Sequence, residues 1–176
     1  MKKVKWGIVG DKFFFPIFGT LKKCLFMCRF SGNMDVKVDG KGRLFVPAAF
    51  RRALEGDSTL FLRVDTVSKC AKFYPASEWE KLNAQFMSQL NLWNQSDLRL
   101  YRQFSAGVEQ VDLDASGRIL IQRRNLDLLE ITSEALVVGV GKYFEVWNKD
   151  LFEDSLLDDE AFSKALQEKM GNQMVL

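Results

Sequence analysis

Two segments of this chain, 75 residues apart, repeat one pattern. The first runs from Val36 to Pro47 and the second from Val111 to Gln122. Each has an alternating apolar stretch, an Asp-x-x-Gly-Arg turn and a second apolar stretch. This order predicts a β-hairpin, because Asp can accept hydrogen bonds from the turn amides and Gly tolerates a positive φ. A repeat at fixed distance indicates two copies of one small β-rich unit.

The segments after each hairpin also correspond. Residues 47–54 predict a short helix, with Pro47 suited to its first turn, and residues 123–129 are the counterpart. In the second copy Gln122 takes the place of that proline, which leaves the start of the second helix less well defined. Two strand pairs are then expected, at 59–64 with 71–74 and at 135–140 with 143–147.

A helical connector is expected between the copies. Ser77 and Glu80 have the spacing of a capping box, so a helix is predicted to begin at Ser77. An apolar stripe follows at Trp79, Leu82, Phe86 and Leu90. Residues 97–104 then predict a returning helix, and a later helix is predicted near Asn148. The large side chains of Phe86, Met87 and Trp93 could form a binding surface, but their helical spacing favours core packing.

These elements predict an α+β, β-rich fold with five segments. The expected boundaries are a leader at 1–28, a first repeat at 29–82, a connector at 83–106, a second repeat at 107–152 and an acidic C-terminal segment at 153–176. The acids after Trp147 have no defined ligand spacing, so a solvated helix face or a frayed tail is favoured over a metal site.

The leader differs from the rest of the chain. Its basic start and apolar residues suggest a signal peptide, but Asp11, Lys12 and Lys22–Lys23 interrupt the apolar run. The longest charge-free run around the phenylalanines, Phe13–Leu21, is too short to span a membrane. Three alternatives remain: an initiator at Met27, a loosely attached extension and a targeting segment. Cys24 and Cys28 have no second ligand pair nearby, and we assign them no metal.

Composition argues against most enzyme classes. The chain contains no histidine, which excludes Ser–His and Cys–His catalysis and His-ligated zinc. Its three cysteines imply no disulfide framework, and a reducing compartment is the simpler expectation. We therefore expect a non-enzymatic, cytoplasmic protein that requires no cofactor and no metal.

The overall charge of +2 hides an uneven distribution. Residues 1–30 hold seven Lys and Arg against one acid, whereas residues 31–176 hold 18 basic and 22 acidic side chains. Any binding of nucleic acid by the main body must therefore depend on locally clustered cations.

The repeated turns identify a family resemblance. Asp39-Gly40-Lys41-Gly42-Arg43 with Leu-Phe-Val-Pro, and Asp114-Ala115-Ser116-Gly117-Arg118 with Ile-Leu-Ile, resemble the paired Asp-x-x-x-Arg signatures of the MraZ family. Supporting segments at 73–79, 102–104 and 138–147 occur in the family's order between about Arg29 and Phe152.

This resemblance implies a fold and a function. It implies two tandem AbrB-like swapped-hairpin units that form a pseudo-dimeric double-split β-barrel with short helices. It also implies a ring-like homo-oligomer, without a membrane partner, that is associated with the nucleoid. Such an oligomer would bind double-stranded promoter DNA at direct repeats upstream of the division and cell-wall gene cluster.

The candidate DNA-binding residues are Arg43, Lys41, Lys37, Arg118, Arg51 and Arg52. Arg pairs with guanine O6 and N7, and Lys suits phosphates. The functional arginine of the family corresponds to Arg43. Another interpretation is open, because Asp39 with Arg43, and Asp114 with Arg118, could form ion pairs that only brace the hairpins. Likewise, Arg51–Arg52 and Arg123–Arg124 either extend the basic patch or are exposed polar residues of their helices.

Three functions therefore compete. A sequence-specific transcriptional regulator is favoured, an oligomeric interaction protein without specific DNA binding is the alternative, and an enzyme is the weakest. Gly139-Val140-Gly141-Lys142 lacks the phosphate-loop spacing and predicts a hairpin turn. Cys70 is expected to be a buried small apolar residue.

Overall fold

A computed structural model describes residues 29–54 and 56–171, which form a mixed α+β fold. The predictions on the leader lie outside these residues. The strands are β1 (Asn33–Lys37), β2 (Arg43–Phe45), β3 (Thr59–Asp65), β4 (Cys70–Pro75), β5 (Val108–Asp112), β6 (Arg118–Leu120), β7 (Glu134–Val140) and β8 (Tyr143–Trp147). The helices are α1 (Ala48–Ala53), α2 (Ala76–Met87), α3 (Gln95–Ala106), α4 (Arg123–Leu128), α5 (Lys149–Ser155) and α6 (Asp159–Met170).

The strands form two antiparallel sheets. One has six strands in the order β1-β7-β8-β4-β3-β5, and the other is a ribbon of β2 and β6. Replacing each strand of one repeat by its equivalent in the other (β1 by β5, β3 by β7 and β4 by β8) gives the same order reversed. The two repeats are therefore related by a pseudo-two-fold axis that passes between β8 and β4 and through the ribbon.

The hairpin prediction is right about the turn and wrong about the pairing. β1 and β2 are joined by the predicted turn, but they share only an isolated bridge between Val38 and Leu44. β1 pairs instead with β7 of the other repeat, and β5 pairs with β3. Local alternation fixes which residues of a strand face inward, but not which strand lies beside it.

The helices that follow the ribbon strands begin within one residue of the predicted starts, α1 at Ala48 and α4 at Arg123. Pro47 precedes α1 with φ −51°, and Gln122 precedes α4 with φ −61° and ψ 144°. Gln122 thus adopts the backbone angle that a proline ring would fix. The second helix forms without the proline.

The core lies between the two sheets and contains side chains of both repeats. Phe30, Phe50, Phe73 and Phe144 are fully buried, and the rings of Phe30 and Phe50 meet edge to face at 5.3 Å. Leu44 and Ile119 reach this core from the ribbon. The core therefore fixes the ribbon to the larger sheet.

Two predictions about the connector are wrong. α2 begins at Ala76 after Pro75, whose ψ of 149° is non-helical, and no side chain caps it. Ser77 therefore lies within the first turn of α2 and does not form a capping box. Trp93 is 96% exposed in the turn between α2 and α3, outside the core. Trp79 does pack, because its ring stacks between those of Phe61 and Phe104.

The acidic C-terminal segment contains α6 and the end of α5. Asn148 caps α5 as predicted, by accepting hydrogen bonds from the amides of Asp150 and Leu151. Asp158 caps α6 through the amide of Ala161. No helix in the part of the chain that the structure describes is long and apolar enough to cross a membrane.

Candidate nucleic-acid interface

The two-stranded ribbon has a buried face and an exposed face. Arg43 pairs with Leu120, Leu44 with Ile119, and Phe45 with Arg118. Because side chains alternate along a strand, Leu44 and Ile119 point into the core, where at most 1% of either is exposed. The outward face presents the other four side chains, which are Arg43, Phe45, Arg118 and Leu120.

In the first turn, Asp39 organises both the backbone and Arg43. Its Oδ1 accepts hydrogen bonds from the amides of Lys41 and Arg43, at 2.9 and 3.0 Å. Its Oδ2 accepts one from Nε of Arg43 at 2.8 Å. These bonds, with that from the Arg43 amide foremost, lower the pKa of Asp39, so the carboxylate is ionised at neutral pH.

The second turn repeats this geometry. Oδ1 of Asp114 accepts from the amides of Ser116 and Arg118, at 2.8 and 2.9 Å, and Oδ2 accepts from Nε of Arg118 at 2.8 Å. The bond from the Arg118 amide is the main reason that the pKa of Asp114 is lowered. The ion pairs of the bracing interpretation are thus present at both turns.

Each guanidinium has donors left over. Only Nε of Arg43 and of Arg118 bonds to the aspartate. Within residues 29–54 and 56–171, neither pair of terminal Nη groups makes a side-chain hydrogen bond. Holding a guanidinium by Nε fixes its plane and leaves the Nη fork for a second partner, the geometry that a guanine edge requires.

Arg51 lies on the turn of the other repeat. A Cβ at Gly117 would come within 2.5 Å of Cδ and Nη1 of Arg51. In the reciprocal position, a Cβ at Gly42 would meet the backbone oxygen of Ile121 at 2.4 Å and Cδ1 of Leu126 at 3.2 Å. The first repeat therefore supplies a cation to the second turn, whereas the second repeat supplies a leucine to the first.

The two repeats are similar in structure but differ in charge. The first hairpin, 36–47, has three cations and one acid, and the second, 111–122, has one cation and two acids. Equivalent positions are Lys37 and Asp112, Lys41 and Ser116, Arg51 and Leu126, and Arg52 and Asp127. In the described parts of the chain, no carboxylate forms an ion pair with any of these four cations. The unpaired cations of the ribbon end therefore belong to the first repeat.

The arginines after Gln122 are already partnered. Arg123 pairs with Asp127 at 3.0 Å, and Arg124 pairs with Glu109 at 2.5 Å. Both side chains are exposed, so the pairs are weak. These two arginines match the interpretation as exposed polar residues of a helix better than that of a free basic patch.

Sequence reasoning missed Phe45 and Leu120. They are 54% and 49% exposed, beside the two arginines. Alternation around the inward-facing Leu44 and Ile119 would have placed both outside, but they were considered only as members of an apolar strand. The contact between Arg51 and Gly117 had no signal in the sequence, since it joins positions 66 residues apart.

The structure also locates the predicted Gly141-Lys142 turn and Cys70. Gly141-Lys142 is the two-residue turn between β7 and β8, with Gly141 at φ 69°, which confirms the hairpin turn. Cys70 is fully buried, as predicted, and burial raises the pKa of its thiol to about 12. Among the described residues, no group of three or more Cys, Asp or Glu side chains could hold a metal ion.

Comparison with known proteins gives consistent matches. Residues 29–103 and 104–173 each match the family described as "MraZ protein, putative antitoxin-like". A protein of Bacteroides thetaiotaomicron named "Transcriptional regulator MraZ" is 38% identical over 149 residues, covering 84% of this chain and 96% of that protein. Proteins of the same name from Phocaeicola vulgatus and Bacteroides fragilis are also 38% identical, covering 81% and 82% of this chain and 94% and 92% of their own lengths.

Proposed function

The chain belongs to the MraZ family, and from this premise we propose that it is a sequence-specific DNA-binding transcriptional regulator and not an enzyme. The observation that carries the proposal is the outward face of the β2–β6 ribbon, where the Nη forks of Arg43 and Arg118 have no hydrogen-bond partner among the described residues. The major groove of B-DNA admits a two-stranded β-ribbon. Arginine forks on such a ribbon can reach the O6 and N7 of guanine.

Lys37, Lys41, Arg51 and Arg52 are proposed to contact phosphates on either side of the groove. They lie on β1, on the first turn and on α1, close in sequence to the ribbon strand β2. Phosphate contacts supply affinity and orientation, whereas the two ribbon arginines supply base discrimination. Although residues 31–176 are acidic overall, this local cluster is sufficient for attraction within a Debye length.

We further propose an assembly and an architecture. The six-stranded sheet and the ribbon form the AbrB-like double-split barrel that the family resemblance implies, with repeats at 29–82 and 107–152. The two repeats of one chain already pair with each other about the pseudo-two-fold axis. Further association between chains therefore joins unlike surfaces and closes into a ring. Such a ring binds direct repeats upstream of the division and cell-wall genes, in the cytoplasm and at the nucleoid.

An oligomeric interaction protein is the second candidate. The observation that favours it is the ion pair in each turn, since Asp39 and Asp114 already engage Arg43 and Arg118. In that case both arginines serve the fold alone, and DNA binding is at most non-specific.

A gel-shift with the DNA upstream of the protein's own gene separates the candidates. Specific binding should survive an excess of unrelated competitor DNA, and it should be lost in Arg43→Ala. The matched control is Arg99→Ala, which removes an exposed arginine from α3, a helix that is not part of the ribbon. Binding that the competitor abolishes, or that Arg43→Ala leaves unchanged, would favour the interaction protein.

A further inference from the structure

Phe45 is a large apolar side chain on the outward face of the ribbon, which it shares with two arginines and Leu120. It is 54% exposed because its neighbour Leu44 takes the inward position. Val46, next along the chain, is buried as well, so the ring has no room in the core. A phenylalanine exposed to this degree on a short ribbon forgoes most of the burial that makes aromatic residues favourable.

The ring lies beside a cation. The Cζ atom of Arg118 is 5.7 Å from the centroid of Phe45, in the cation–π range. On the other side of the pseudo-two-fold axis, Leu120 pairs with Arg43 and is 49% exposed. The outward face therefore carries two pairs, each made of one guanidinium and one apolar side chain, with the members of each pair directly opposite across the strands.

The major groove offers a matching pair of chemical groups. Guanine presents two acceptors, which suit a guanidinium. Thymine presents a 5-methyl group, the apolar feature among the base edges of that groove. Diagonal neighbours on one face of an antiparallel pair lie about 7–8 Å apart, so the two pairs span roughly two base-pair steps of about 3.4 Å each.

From this arrangement we propose that Phe45 and Leu120 contact thymine 5-methyl groups, so that the ribbon reads guanines with its arginines and neighbouring thymines with its apolar side chains. The inference rests on the proposed DNA-binding function and adds a second class of base to its specificity. Contact with thymine methyl groups would also explain why two apolar side chains are exposed at positions where lysine or serine would make the protein more soluble.

Phe45 could instead act only by positioning Arg118, and the two roles predict different effects of its removal on DNA binding. If the ring only holds Arg118 by the cation–π contact, its loss weakens binding to every DNA by the same factor. If the ring contacts a thymine methyl, its loss matters only when that methyl is present. Protein and DNA must therefore be changed together.

The experiment replaces each thymine of the protected site by uracil, one at a time, which removes only the 5-methyl group. The Kd is measured for the wild-type chain, Phe45→Ala, Leu120→Ala, and the control Val67→Ala, an exposed residue in the β3–β4 turn. Burying one methyl group corresponds to about a fourfold change in Kd. We expect a rise of about that factor for the wild type and for Val67→Ala at two or more thymines.

For Phe45→Ala and for Leu120→Ala, the rise in Kd should disappear at the thymine that the removed side chain contacts and persist at the other thymine. Phe45→Leu, which preserves an apolar contact without the ring, should still distinguish thymine from uracil. Thermal unfolding of each variant shows that it is folded. Specific wild-type binding that is indifferent to every methyl group overturns the inference alone. The inference is also overturned if Phe45→Ala raises the Kd for thymine and uracil sites by the same factor. If the wild-type chain binds no DNA specifically, the proposed function is overturned as well.

Discussion

The side chain of Arg51 lies against Gly117, so that a helix of the first repeat covers the turn of the second. The equivalent turn glycine, Gly42, lies instead against the backbone oxygen of Ile121 and the side chain of Leu126. The backbone is close to two-fold symmetric, but the atoms packed on the two turns differ. Mutations at equivalent positions should therefore have unequal effects.

Gly42→Ala should destabilise the protein more than Gly117→Ala. Both glycines have positive φ, 84° and 78°, which costs an alanine about 1–2 kcal/mol. At Gly42 the new Cβ would also meet a backbone oxygen at 2.4 Å, whereas at Gly117 it meets the flexible side chain of Arg51. We expect the difference in unfolding free energy to be about 1–3 kcal/mol, measured by urea denaturation. Equal losses would contradict this account of the turns.

Asp39→Ala and Arg43→Ala should separate stability from DNA binding. Asp39 accepts two backbone hydrogen bonds and one from Arg43, and Asp39→Ala removes all three. Arg43→Ala removes only the exposed ion pair, which solvent screens, and leaves both backbone hydrogen bonds of Asp39 in place. It should also remove a base contact worth about 1–3 kcal/mol.

We therefore expect Asp39→Ala to lower the melting temperature more, while Arg43→Ala stays folded and loses specific binding. Circular dichroism melting and fluorescence anisotropy give the two quantities. An Arg43→Ala variant that unfolds or dissociates, while its folded fraction still binds normally, would support the bracing interpretation.

Much of the fold could be predicted because the repeat is a local pattern. Alternation, turn glycines and Pro47 are signals within a few residues, and they place β2, β6, α1 and both turns correctly. The exchange of β1 and β5 between the repeats could not be derived from alternation, because a strand's partner is decided by packing across the whole core. The family resemblance supplied that expectation.

The errors have local physical causes. Pro75 sets the start of α2, because its fixed φ suits the residue before a helix, and this overrides the capping signal of Ser77. Trp93 was expected in the core because of its helical spacing, but it falls in a turn, where that spacing no longer applies. At the candidate site, Phe45 was overlooked because an apolar residue in a strand suggests burial, although alternation required it to face outward.

Acid should destabilise the fold through Asp65. A hydrogen bond from Nζ of Lys72, at 2.7 Å, is the main reason that the pKa of Asp65 falls from 3.8 to about 2. Since the folded pKa is below the unfolded one, the stabilisation is complete above about pH 4 and is lost as the pH falls through 2. Its size is on the order of 2 kcal/mol.

Chemical denaturation between pH 2 and 7 measures this contribution. Asp65→Asn should reduce the unfolding free energy at neutral pH and flatten its fall in acid. Asp154→Asn, which removes an exposed acid on α5, is the control and should leave the curve unchanged. If the unfolding free energy of Asp65→Asn falls with pH as steeply as that of the wild type, other carboxylates dominate the acid destabilisation.

A chain beginning at Met27 should fold and bind DNA as the full chain does. Phe30 is the first core residue within the described part of the chain; it exchanges two backbone hydrogen bonds with Gly141 and packs its ring on Phe50 and Phe144. Phe30→Ala in the same shortened chain should cost about 3–5 kcal/mol. Differential scanning calorimetry compares the three proteins. Loss of folding on removal of residues 1–26 would show that the leader has a structural role.

We expect the DNA site to have a defined polarity. Two identical hairpins related by a two-fold axis would bind the two strands of DNA equally and favour an inverted repeat. Here Lys37 and Lys41 of the first hairpin are replaced by Asp112 and Ser116 in the second, so one chain should bind in a single orientation. Subunits arranged head to tail around a ring would then contact direct repeats, spaced by about one helical turn, roughly 10 bp.

Footprinting gives the polarity, light scattering gives the size of the assembly, and salt titration counts the phosphate contacts. Lys41→Ser should reduce the slope of log K against log salt by about 0.9 for each chain bound, because it removes one phosphate contact. Ser116→Lys, the reciprocal change, should increase affinity and weaken the preference for one orientation, because it makes the hairpins more alike. A stable two-chain species that protects an inverted repeat would refute the ring, although such a species would still bind DNA through the ribbon. The charge difference between the hairpins would then have to act within each half of the inverted repeat.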